Sequence, residues 1–169
     1  MKALHLLILI AGCLLLSPGC KVNVSLNGAS IPPDIKSCTV DLFSNQAPLV
    51  VPSLASTLTE GLKNKIQSNS NISLKSSGGD VEFRGTITGY QVSPLAAQAN
   101  ETAALNRLTV TVSVDYTDNK NDKNNWSQSF SRYADFSSST DLNAVQGQLI
   151  DEISKELDDD IFNKAFLNW

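Results

Sequence analysis

The sequence predicts an α+β domain: a mixed, mostly antiparallel sheet of about four to five strands with two helices packed on one face. Leu108, Val110, Val112, Val114 and Tyr116 alternate with Thr109, Thr111, Ser113, Asp115 and Thr117, the period-2 pattern of a strand buried on one side. Leu142, Val145, Leu149, Ile153, Leu157, Ile161 and Ala165 instead recur three or four residues apart, the stripe of an amphipathic helix. A second such stripe lies earlier in the chain. Two one-sided helices and a one-sided sheet bury all three apolar surfaces at once by stacking on the same side. The opposite sheet face, rich in Thr and Ser, is left bare, which an antiparallel sheet tolerates.

The elements follow in order. Residues 21–37, with Gly28, Pro32 and Pro33, read as an extended tether. Cys38, Val40 and Leu42 alternate with Thr39 and Asp41 as a first strand. Gln46 to Val51 is a connection, after which Pro52 and Ser53 start a helix, because proline has no amide hydrogen to lose in the first turn. Val51, Leu54, Ala55, Leu58, Leu62 and Ile66 give that helix its apolar stripe over about four turns. Ile72 and Leu74 form a short strand and Ser76 to Asp80 a turn. Val81, Phe83 and Ile87 begin a longer strand, in which Gly89 before Tyr90 and Val92 shifts the phase, the mark of a bulge. An Ala-rich connection from Pro94 to Asn106 leads to the strand over 108–117. A polar turn, Asp118 to Asn125, then sends the chain back as a strand from Trp126 to Phe136. Thr140 or Asp141 caps the last helix, and Phe162, Phe166 and Trp169 extend its stripe.

Ahead of this domain, Met1-Lys2, the apolar run Ala3 to Leu16 and Ser17-Pro18-Gly19-Cys20 compose a bacterial lipoprotein signal. The run falls short of the roughly 20 apolar residues that span a bilayer. The expected mature chain begins at Cys20, its thiol carrying a diacylglycerol and its amine a further, palmitate-type acyl chain. Ile10-Ala11-Gly12-Cys13 is a second cleavage box, with Cys13 as the alternative lipidation site. Cys20 is preferred because it uses the whole apolar run and ends it at a breaker. The expected division is a signal peptide over 1–19, a lipidated tether over 20–37 and a single domain over 38–169. Lys21-Val22-Asn23 carries neither an Asp beside the cysteine nor an acidic cluster, so the expected destination is the periplasmic face of the outer membrane.

Composition excludes several chemistries. The chain has one histidine, His5, which leaves with the signal. A Ser-His-Asp triad, a Cys-His dyad and a histidine-ligated metal are thereby ruled out of the mature chain. Cys38 reads as a small buried apolar residue, although lipidation at Cys13 would free Cys20 to pair with it. A formal net charge of −4 argues against nucleic acid as a partner. Asp158-Asp159-Asp160 reads as a solvated helix face rather than a metal site, since successive helical residues diverge by about 100°. Asp118 to Asp122 has Lys120 where a calcium loop needs an acidic ligand. No two carboxylates are marked as a catalytic pair, and neither an enzyme nor a cofactor is expected.

Four separated segments are similar, in order, to the lipopolysaccharide-assembly lipoprotein family (LptE-like) in its Bacteroidetes-type form. They are Gly28 to Asp34, Asn100 to Val110, Phe130 to Phe136, and Asp160 to Trp169, with the family's lipoprotein signal in front. The resemblance implies two helices on one face of a mixed sheet. It also implies a plug and assembly partner inside a large outer-membrane β-barrel, the lipopolysaccharide translocon (LptD-like), with direct contact to lipopolysaccharide as a further role. Acyl chains would hold the chain at the membrane, and a polar sheet face suits the polar lumen of a barrel. Thr109, Thr111 and Ser113 on that face, with Ala97 and Asn100 on the loop before it, are the candidate barrel contacts. Arg84, Arg107 and Arg132 are the candidate lipopolysaccharide contacts, because lipid A phosphates take bidentate Arg; cross-strand ion pairing would occupy them equally well. The alternative is a free-standing periplasmic lipoprotein that binds a soluble ligand or glycan on the bare face.

Overall fold

The computed structural model describes residues 31–95 and 104–167. Cys13, Cys20, Ala97, Asn100 and Trp169 lie outside the described residues, as does the whole signal segment. The elements are β1 (Ser37–Val40), β2 (Ser44–Asn45), α1 (Pro52–Asn69), β3 (Ser73–Lys75), β4 (Val81–Pro94), β5 (Leu105–Asp118), a 3-10 turn (Asp122–Asn124), β6 (Trp126–Ser137) and α2 (Leu142–Phe166). They build a six-stranded sheet in the order β3-β1-β4-β5-β6, with β2 also paired to β4. The short strands β1, β2 and β3 pair in parallel, whereas β4, β5 and β6 form a long antiparallel meander. Among the described residues no helix is long and apolar enough to cross a membrane.

Both helices cover one sheet face. Leu54, Leu58, Leu62 and Ile66 of α1 and Ile153, Leu157 and Ile161 of α2 are fully buried against Val81, Phe83, Ile87, Leu108, Val110, Val112 and Val114. Each such side chain contributes roughly 1.5–3 kcal/mol by leaving water. Phe83 anchors the centre, with Tyr116 at 5.1 Å and Phe166 at 6.0 Å, both edge-on. The expected start of α1 at Pro52 is observed. Of the two expected caps for α2, Asp141 takes the role: its carboxylate accepts from the Asn143 N–H at 2.9 Å. The expected bulge is a register shift in the β4–β5 ladder between Ile87 and Gly89.

The first strand departs from expectation. Leu42 is 71% exposed, and Phe43 takes its place in the core. The chain leaves β4 after Asp41, whose N–H still donates to Phe83 O, and returns at β2. Between them the Phe43 N–H donates to Thr59 Oγ1 of α1 at 3.0 Å, and its ring lies on Gly85 of β4, where any Cβ would collide with it. A glycine at that point is what lets an aromatic ring enter from the neighbouring strand. All four residues of β1 are buried. Ser37 and Thr39 point to the bare face, but the turn before β4 closes over them: Gly79 N–H donates to Thr39 Oγ1 and Asp80 N–H to Ser37 Oγ. Asp80 Oδ2 in turn accepts from the Lys36 and Ser37 N–H groups at 2.9 and 3.0 Å. These bonds, with Lys120 alongside, hold its carboxyl far below the usual carboxylate range.

The acidic run of α2 is not a uniformly solvated face. The three carboxylates diverge as helical geometry requires, each to a different environment. Asp159 pairs with Lys65 of α1, and Asp160 with Arg132 of β6. Asp158 is buried at 4% exposure between the helices. It lies against Gly61 of α1, where a Cβ would clash with its Oδ2, and its Oδ1 has no hydrogen-bond partner. Ser154 Oγ, one turn earlier, is likewise buried and unpartnered.

Candidate functional site

Alternation along three long strands places one polar side chain in two on the face that no helix covers. Pairing register aligns them in rows: Gln91, Thr109 and Tyr133; Gly89, Thr111 and Ser131; Thr86, Ser113 and Ser129. Thr109, Thr111 and Ser113 are all half-exposed there and form the middle column of a flat hydroxyl surface. Thr111 Oγ1 and Ser131 Oγ are 3.1 Å apart, and Ser44 Oγ donates to Thr86 Oγ1 at 3.1 Å. Two hydroxyl pairs thus bond across strands, and the surface between the charged ends is neutral.

Charged groups frame this surface at its two ends. At one end Arg84 donates to Asp41 and Glu82, each at 3.2 Å. At the other, Arg107 makes a two-pronged pair with Asp135 at 2.7 and 2.8 Å, and its guanidinium sits 3.5 Å over the ring of Tyr133. The bond from Arg107 holds the Asp135 carboxyl below its ordinary value. Arg84 stands beside Asp115 of β5, and Asp115 and Arg107 are eight positions apart on that strand. That is roughly 26 Å at about 3.3 Å per residue. Arg132 faces the other way: it pairs with Val110, on the helix-covered side, and its guanidinium grips Asp160 through two 2.6 Å bonds, with Glu156 at 3.9 Å. The three arginines therefore occupy three separate places, each matched by carboxylates.

Sequence reasoning passed over Tyr133 and Asp135 and placed Asp158 on a solvated helix face. Tyr133 carried a signal, since it is out of phase with Phe130, Ala134 and Phe136 and so had to project from the polar face. Asp135 carried none, because its partner is fixed by strand register. Asp158 follows Ser154 by four residues within the buried stripe, a position that helical spacing alone marks as inward. Cys38 is buried, with its thiol pushed up to about 12 by desolvation and by Glu82, so it is chemically quiet. Among the described residues no cluster of three or more metal-ligating side chains occurs.

Comparison with known proteins gives one family and a set of distant folds. The family model described as "LptE: Lipopolysaccharide-assembly" matches residues 35–165. No curated protein matches the chain. Among solved structures, a neuraminyllactose-binding hemagglutinin homolog from Helicobacter pylori is similar, with a TM-score of 0.54 and 8% identity over 79% of this chain and 84% of that one. Rare lipoprotein B from Shewanella oneidensis is similar with a TM-score of 0.52 and 15% identity over 74% of this chain and 91% of that one. At such identities the likeness is one of fold: two helices on a mixed open sheet.

Proposed function

The chain belongs to the LptE lipopolysaccharide-assembly family, and from that premise we propose that it is a lipid-anchored lipoprotein at the periplasmic face of the outer membrane, the plug and assembly partner of an LptD-like barrel translocon. In this reading residues 1–19 are the signal, Cys20 carries the lipid, and the chain catalyses no reaction. The observation that carries it is the flat hydroxyl surface around Thr109, Thr111 and Ser113, whose charged groups are confined to its two ends. The hydroxyl centre of such a surface can lie against a polar lumen wall without stranding a charge. Ala97 and Asn100, outside the described residues, belong to the same proposed contact. A photo-crosslinker at Thr111, and a second at Ala97, is expected to give an adduct with a large β-barrel in whole cells. A chain that forms no barrel adduct and runs alone from mild detergent would replace this reading with the free-standing binding lipoprotein. Intact mass on the same sample is expected to place the acyl chains on Cys20.

Lipopolysaccharide contact belongs to the same proposal. Arg107 and Arg132 already hold their guanidinium groups in fork geometry toward one carboxylate each, and Arg84 bonds two carboxylates singly; a lipid A phosphate can replace such partners because it offers the same paired oxygen acceptors. The triple variant R84A/R107A/R132A is expected to bind lipopolysaccharide micelles about tenfold more weakly, the size of about one lost charge-assisted bond. Unchanged binding would remove these residues from the role.

A further inference from the structure

The sheet ends on one side in β6, a twelve-residue strand paired only to β5. Its ladder runs without interruption from Leu105↔Ser137 to Tyr116↔Trp126, and it contains no Pro, no Lys and no bulge. The other edge, β3, is three residues long. Hydrogen-bond alternation fixes which groups of β6 face outward. Ser138 N–H donates to Ala104 O, and Leu95 N–H donates to Leu105 O on the far side of β5. Leu105 and Ser137 are thus a non-hydrogen-bonded pair. Counting back by twos, the N–H and C=O of Ser127, Ser129, Ser131, Tyr133 and Asp135 point away from β5, free among the described residues.

Beside this edge, on the helix side, two clefts of about 420 and 530 Å³ run between β6 and α2. Phe130 and Ala134 supply an apolar floor. The α2 wall carries Glu152 and Glu156 in one cleft and Asp160 and Lys164 in the other. Asp160 is consumed by Arg132 and in turn cancels the inward-pointing charge of Arg132, which would otherwise repel an incoming strand. Glu156 is held only at 3.9 Å by Arg132, and Glu152 has no ion pair among the described residues.

We propose that the β6 edge binds an extended segment of a partner protein by strand addition, with Lys or Arg of that segment entering the cleft against Glu152 and Glu156. Main-chain bonds to the five outward residues supply the affinity, and alternate side chains entering the cleft supply the selectivity. A second copy of this chain fits poorly, because edge-to-edge pairing would set the Glu152 and Glu156 of one copy toward those of the other. The inference is independent of the barrel-plug reading, since it uses the strand edge rather than the hydroxyl face.

The test is amide hydrogen exchange by NMR on the full chain in detergent micelles, titrated with a synthetic peptide of about ten residues, Lys at every second position and Val or Thr between. The expected result is slowing of about tenfold at Ser127, Ser129, Ser131, Tyr133 and Asp135, with the intervening amides, already bonded to β5, little changed. The same peptide with Glu for each Lys is expected to have no effect. Ser129→Pro removes one outward donor without touching the β5 ladder and is expected to abolish the slowing. E152K/E156K, which leaves the strand intact, is expected to do the same for the Lys peptide. No slowing, equal slowing by both peptides, or outward amides already protected in the free chain and released on dilution would each overturn the proposal, the last by assigning the edge to a second copy.

Discussion

Asp158→Asn is expected to stabilise the protein at pH 7.5 and to flatten its dependence on pH. Asp158 is buried between α1 and α2, where desolvation, with Asp159 adding to it, raises its carboxyl to about 8; Lys65 offsets this only in part. The folded chain therefore keeps the proton through neutral pH, while the unfolded chain loses it near the ordinary value of 3.8. Between these values the native state binds more protons, so stability falls as pH rises, by up to about 1.4 kcal/mol per pH unit. Asp80 and Asp135, whose carboxyls are lowered, act in the opposite sense, but their contribution is lost only as pH drops below about 4. Urea unfolding at pH 5.5, 6.5 and 7.5 is expected to show the wild type gaining about 2 kcal/mol toward the acid end, with no comparable gain in the Asn variant. Parallel curves for the two proteins would show that Asp158 does not titrate as its burial requires.

Gly85→Ala is expected to cost about 3 kcal/mol, the upper end of what overpacking a core does. The added methyl would enter the ring of Phe43, which lies fully buried on the bare backbone of β4. Neither side can yield cheaply: β4 is paired to β5 along its length and to β1 and β2 on either side of Gly85, and Phe43 is pinned through its own N–H to Thr59. Thermal melts should show a clear drop for G85A and partial recovery in G85A/F43L, where a smaller side chain makes room. Additive losses in the double variant would mean that the methyl is accommodated elsewhere.

What could be read from the sequence was whatever depends on neighbours along the chain. Pro52 at the start of α1, the phase shift at Gly89 and the alternation of β5 are local signals, and each appears where it was expected. Two helices on one face of a mixed sheet followed from them. The exchange of Leu42 for Phe43 did not, because both are apolar and the choice is made by a gap at Gly85, far along the chain. Strand order and the short β2 depended likewise on pairings with β4. On the polar face the hydroxyl column of Thr109, Thr111 and Ser113 was legible, as alternation alone defines it. The charge pairs that frame it were not: Arg107 meets Asp135, and Arg132 meets Asp160, only after register and helix packing bring together residues 28 apart.

The position of β1 decides how the domain bears a pull. A force applied to the chain ahead of Ile35 enters the fold at Ser37, in a strand held on both sides, by β3 and β4. Drawing β1 along its own axis loads both parallel ladders in shear, so that their bonds must yield together instead of opening one after another. The Asp80 carboxylate, bonded to the Lys36 and Ser37 amides, is a latch at the point of entry. A chain tethered through its first residues would therefore pass tension into the middle of the sheet and leave the β6 edge unstressed.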